Sequence, residues 1–117
     1  APAAAPAERD SLALSQEQQR ALAALRARLL ARADSVILPL AAWLAERPTR
    51  FDVREAMRRM GEARLAVFDL EVEAVAEMRG LLTPEQWERL GDVVALYANP
   101  ARVRRARDEI RRDLGLR

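Results

Sequence analysis

With no cysteine, histidine or lysine among its 117 residues, this chain lacks the side chains behind disulfides, zinc–cysteine sites, thiolate nucleophiles, imidazole acid–base work and lysine Schiff-base or P-loop chemistry. Half of its residues are apolar but only 4% are aromatic, and the Ala- and Leu-dominated apolar set favours a single domain of closely packed helices. All 20 basic residues are arginine, and the small net charge of +2 hides a division. Residues 51–92 hold six Arg against ten acids, net −4, and residues 101–117 hold seven Arg against three, net +4. An acidic middle and a basic tail can pair with each other, within a chain or between chains.

Residues 1–13 read as a flexible Ala/Pro-rich arm, similar to the spacer that follows a removed signal or an upstream membrane anchor. A helix is expected over residues 15 to about 46, with Leu22, Leu25, Leu29, Val36, Leu40 and Trp43 forming a heptad-like seam whose one gap holds Arg32. Pro39 removes one backbone bond and crowds the carbonyl of Ser35, so a bend is expected there; the apolar spacing continues in phase across it, which argues against a break. Arg47, Pro48, Thr49 and Arg50 read as the loop.

Asp52 then suits a helix N-cap, with Glu55 at capping-box spacing and Phe51 placed to staple onto Ala56. The second long helix is expected over residues 53–79, stopping at Gly80 in the left-handed conformation. Its buried stripe is read as Val53, Ala56, Met57, Met60, Ala63, Val67, Leu70, Ala74 and Val75, and Gly61 within it points to a close helix crossing. A third helix is expected from Pro84 to about residue 98, presenting Trp87, Leu90, Val93, Val94 and Tyr97. Asn99 can cap a last helix over residues 101–114, which carries Val103, Ala106, Ile110 and Leu114 amid six arginines. Two helices of this length span about 40 to 48 Å. They leave much apolar surface half covered, for which dimerisation is the simplest remedy.

One phrase occurs twice. Leu82-Thr83-Pro84-Glu85-Gln86 opens the third helix with Thr83 at the N-cap, Pro84 at the first helical position and Gln86 at the third, while Leu82 and Trp87 have the spacing of a hydrophobic staple. Leu14-Ser15-Gln16-Glu17-Gln18 repeats the pattern 68 positions earlier, just before the first long helix. Gln16, Gln18 and Gln86 are all read as caps. Two such Leu-Ser/Thr-x-x-Gln motifs (Leu14, Ser15, Gln18; Leu82, Thr83, Gln86) around a helical hairpin resemble the LTxxQ-motif family. That family comprises the CpxP/Spy group of periplasmic stress proteins and its heavy-metal-resistance relatives of the CnrX and ZraP type. Residues 44–48 with Phe51 and Asp52 look like the inter-helix turn of the metal-resistance branch.

The resemblance covers residues 12 to about 97. It implies a periplasmic, all-α protein: a long bent helical hairpin over residues 14–99, shorter C-terminal helices, and an antiparallel cradle-like homodimer. It further implies a non-enzymatic stress-response role without a cofactor, namely ATP-independent holding of unfolded or misfolded proteins. The alternative it carries is a metal- or stress-sensing module that binds a membrane sensor kinase or an anti-sigma partner.

Candidate sites can be weighed against plainer readings. Met57 and Met60 share a helical face, and Met78 from a partner chain could complete a Cu(I) site, but three Met in an apolar stripe also serve as core filler, and no metal site is assigned. Asp69, Glu71, Glu73 and Glu77 could hold a hard cation or form a solvated surface. The basic segment over residues 100–117 could contact nucleic acid or anionic lipid, yet it has no aromatics and carries Asp108, Glu109 and Asp113 at pairing distance, so nucleic acid is set aside. The expected client or partner surface is one face where Arg28, Arg32, Arg58 and Arg64 interleave with Leu25, Leu29, Met57 and Met60, arginine stems covering apolar ground while their heads stay wet.

Overall fold

The computed structural model describes residues 12–46, 52–91, 94, 97 and 99–113. Four helices make up the described chain: α1 (Gln16–Ala45), α2 (Val53–Leu81), α3 (Pro84–Arg89) and α4 (Pro100–Asp113). No strand occurs among the described residues, so the chain is all-α. The expected loop at residues 47–50, the Phe51 staple, the arm up to residue 11 and the seam positions Val93 and Leu114 lie outside the described residues.

Helix α1 runs without interruption through Pro39. It begins where Ser15 accepts the Gln18 backbone N–H at 3.1 Å while the Gln18 side chain takes the Ser15 N–H at 2.9 Å, a reciprocal pair that satisfies two donors otherwise orphaned at the helix start. Asp52 caps α2 through the Arg54 N–H. Glu55 does not close the expected capping box. Its carboxylate is held by Arg58 and Arg59 on the following turn, at 2.6 and 2.9 Å, and charge-assisted bonds of that kind outweigh a neutral one to a backbone N–H.

The two long helices pack antiparallel, with Arg28 opposite Glu77 and Arg32 opposite Glu73 at 3.4 and 3.0 Å. The buried side of α2 is made of Ala56, Gly61, Ala63, Phe68 and Ala74, mostly small residues that let helix axes approach. Leu25 is the buried residue of α1, and Leu22, Leu29, Val36, Leu40 and Trp43 are half-buried along the expected seam. The α2 stripe differs at its start, where Val53, Met57 and Met60 are exposed. Ala56 between them is buried at 4%, so the covered line at this end of α2 runs through Ala56 and Ala63, and at about 100° per residue Val53, Met57 and Met60 all fall to one side of it.

The glycine stop is also displaced. Helix α2 passes through Gly80 to Leu81, and its C-cap Leu82 is extended (φ −105°, ψ 153°). The reason is Pro84: it keeps Thr83 out of the helical region, and Thr83 is extended as the N-cap of α3. The left-handed glycine is instead Gly91 (φ 50°), just after the Leu90 C-cap, so α3 closes at Arg89 rather than near residue 98. Asn99 caps α4 through the Ala101 and Arg102 N–H groups.

Helix α4 folds back on α2. Arg107 makes a bidentate pair with Asp69 (2.8 and 3.1 Å) and Ile110 is buried, so the basic tail and acidic middle meet within one chain. Between them, Tyr97 lies 5.8 Å from the Phe68 ring and its hydroxyl donates to Glu71 at 2.7 Å. Tryptophans near the two ends of the hairpin carry arginine lids, Arg59 over Trp43 at 4.3 Å and Arg79 over Trp87 at 5.5 Å, a favourable cation–π geometry. The molecule is elongated: it measures 54 × 30 × 28 Å with a radius of gyration of 18.0 Å, against about 13 Å for a compact chain of this length.

Candidate functional site

Both repeated motifs act as helix caps, and the hairpin brings them into contact. Thr83 and Gln86 form a second reciprocal cap at the start of α3, with bonds of 3.2 and 2.9 Å. The two glutamine amides then bond each other, Gln18 Nε2 to Gln86 Oε1 at 2.7 Å and Gln86 Nε2 to Gln18 Oε1 at 3.2 Å. Each also reaches the backbone ahead of the other motif. Gln18 donates to the Leu81 carbonyl, and Gln86 to those of Leu12 and Ala13. The arrangement has an approximate two-fold logic, because Leu81 and Ala13 occupy equivalent positions five residues before Gln86 and Gln18. Gln86 is the buried member at 8% exposure, while Leu14 and Leu82 are half-buried beside it. Gln16, by contrast, is exposed in the first turn of α1. Sequence reasoning saw two caps but missed their pairing; the signal was the identical third-position Gln in both copies.

The expected arginine face is not one surface. Arg28 and Arg32 sit over Leu25 and Leu29 in a groove of about 340 Å³ and are engaged by Glu77 and Glu73. Arg58 belongs to a network along α2 with Glu55 and Glu62, at 2.6 and 2.7 Å. These two carboxylates raise the Arg58 pKa above its usual value, and Arg58 and Arg59 hold the Glu55 carboxyl below its ordinary range. Met60 and Arg64 line a different cleft, about 20 and 14 Å along the helix from Glu73 at 1.5 Å per residue. Three of the four arginines therefore meet intramolecular carboxylates, which periodicity on single helices does not reveal.

The two candidate metal sets are dispersed as well. Met57 and Met60 are exposed, and Met78 lies some 27 Å further along α2, beside Leu22, Leu25 and Tyr97. The structure thus brings the three sulfurs into no common site within one chain. Of the acidic quartet, Asp69 meets Arg107, Glu71 meets Tyr97, Glu73 meets Arg32 and Glu77 meets Arg28. Among the described residues no group of three or more acidic side chains is arranged to hold a metal ion.

A further concavity was not read from sequence. A cleft of about 700 Å³ opens between the loop half of the hairpin and α4. Ile37, Leu40, Met60, Val67, Phe68 and Ile110 form its apolar walls, and Arg64, Glu71, Glu109 and Asp113 are its charged members. It exists because α4 docks at an offset, leaving Ile37 and Met60 uncovered. Tyr97 keeps its proton beside Glu71: the hydrogen bond to that carboxylate, and then burial, push the phenol up to about 12. No helix among the described residues is long and apolar enough to cross a membrane. Comparison with protein-family models, with curated proteins and with solved structures gives no match to this chain.

Proposed function

We propose that the chain is a periplasmic stress-response protein resembling the CpxP/Spy group, which works as a homodimer and holds unfolded or misfolded proteins without ATP or a cofactor. The observation that carries this reading is the apolar surface left open on an elongated hairpin. Leu30, Ile37 and Leu38 on α1 and Val53, Met57 and Met60 on α2 are each more than two-fifths exposed, Leu38 and Val53 by over 60%. Soluble monomers rarely leave so many large apolar side chains open on neighbouring elements without a partner for them. Met and flexible Arg stems adapt their shape, and such surfaces accept many sequences in place of one. The paired Leu-Ser/Thr-x-x-Gln motifs support the family resemblance through their joint structural role, since they fasten the first helix to the third.

The test is light scattering from an unrelated aggregating protein as this chain is added, in metal-free buffer without nucleotide. Suppression near an equimolar amount of dimer is the expected result, weakened by charge at Leu38 or Met57. A folded, dimeric protein that leaves aggregation unchanged overturns this reading in favour of a module that contacts a sensor kinase or anti-sigma partner.

A further inference from the structure

The charged members of the α1–α2–α4 cleft are unequal in sign. Among the described residues that line it, Glu71, Glu109 and Asp113 stand against one cation, Arg64, a formal balance of −2 around apolar walls in a molecule whose net charge is +2. Glu71 accepts the Tyr97 hydroxyl at 2.7 Å. Glu109 and Asp113 stand four residues apart on one face of α4, both exposed, and a like-charged pair at that spacing disfavours its own helix. The arginines that would have made a hairpin face attractive to acidic segments are committed elsewhere, Arg28 and Arg32 to Glu77 and Glu73 and Arg58 to Glu55 and Glu62. A volume of about 700 Å³ falls within the range of about 300–1,000 Å³ in which pockets enclose a ligand-sized group.

We infer that this cleft docks unfolded polypeptide segments in which apolar side chains are flanked by arginine or lysine. The inference rests on the holding reading and names the class of segment held. Apolar side chains enter between Ile37, Met60 and Ile110, while the flanking cations meet Glu109 and Asp113 at the mouth. An acidic flank meets the same carboxylates with repulsion, so the surface discriminates by charge as well as by hydrophobicity.

Two short labelled peptides test this, identical at their apolar centre and flanked either by arginines or by glutamates, titrated by fluorescence anisotropy with the full chain at low and high salt. The arginine-flanked peptide is expected to bind about tenfold more tightly at low salt, with the gap closing as salt screens it. The double variant Glu109→Gln with Asp113→Asn relieves a repulsive pair and so keeps its helix; it is expected to lose most of that preference. Met60→Asp is expected to weaken both peptides. Equal affinity for the two peptides overturns the inference, as does a preference unchanged in the double variant. A double variant that changes the sedimenting mass also overturns it, because the cleft is then a seam between copies. Suppressed aggregation without charge preference would leave the holding reading standing and remove this one. Charge-selective peptide binding without suppression would do the reverse.

Discussion

Gln86 concentrates more of the fold's polar logic than any other described side chain. Its oxygen accepts from the Thr83 N–H and from Gln18, and its nitrogen reaches Leu12, Ala13 and Gln18. Truncation strands several groups at once. We expect Gln86→Ala to cost about 2 kcal/mol in urea denaturation, since losing one partner of a part-buried network leaves the others unsatisfied. Gln16→Ala, at an exposed first-turn position, should shift stability by less than about 0.5 kcal/mol. Tyr97 offers a second single-residue readout because it is the chain's one tyrosine. Its folded-state pKa is raised to about 12, above the ordinary value of about 10. The stability contributed by its bond to Glu71 is therefore complete below about pH 10 and lost as pH rises through about 12. Ultraviolet titration of tyrosinate should find its midpoint near 12, and Glu71→Gln should bring it back toward about 10.

At the scale of elements, the two glycines around α3 call for opposite substitutions. Gly80 is helical, and an added Cβ would meet no heavy atom within 4 Å. Gly80→Ala should therefore stabilise by about 0.5–1 kcal/mol with an unchanged denaturant slope. Gly91 has φ 50°, so Gly91→Ala should cost about 1 kcal/mol despite equally open space. The sequence pattern stops the second helix at Gly80 and carries the third through Gly91; both expectations fail, because Pro84 and the Thr83 cap set the end of α2 and Gly91 takes the left-handed position after α3. Helix content, the antiparallel hairpin, both reciprocal caps and the Asn99 cap were all legible, because each is written in local spacing. The Gln18–Gln86 pairing, the ion pairs that absorb Arg28 and Arg32, and the cleft against α4 were not. Each depends on the register between α1 and α2 or on where α4 lands, and neither is encoded within one helix. The stripe that included Val53 and Met57 failed for a related reason: periodicity marks a broad face but not which line along it, here Ala56 and Ala63, the rest of the chain covers.

The whole molecule combines great length with a thin core. Seven apolar residues are buried among those described, and no large side chain is fully enclosed, while six large apolar side chains remain substantially exposed. Arg107–Asp69 and Ile110 fasten α4 onto α2, yet that docking leaves Leu30 and Leu38, eight residues apart along α1, open at 53% and 62%. If a second copy covers this row, folding and association are linked, and mass action makes stability depend on protein concentration. Each tenfold increase then adds about 1.4 kcal/mol per dimer, or roughly 3–5 °C in thermal midpoint for a chain pair of this size. We expect that rise in calorimetric scans over a roughly hundredfold concentration range. Leu38→Glu, which places a charge in the open row, should abolish it and yield a species sedimenting near the 13.1 kDa of one chain. A midpoint independent of concentration in the unmodified protein would mean that the exposed row stays open to solvent, and the whole length of the hairpin would then be available to other polypeptides.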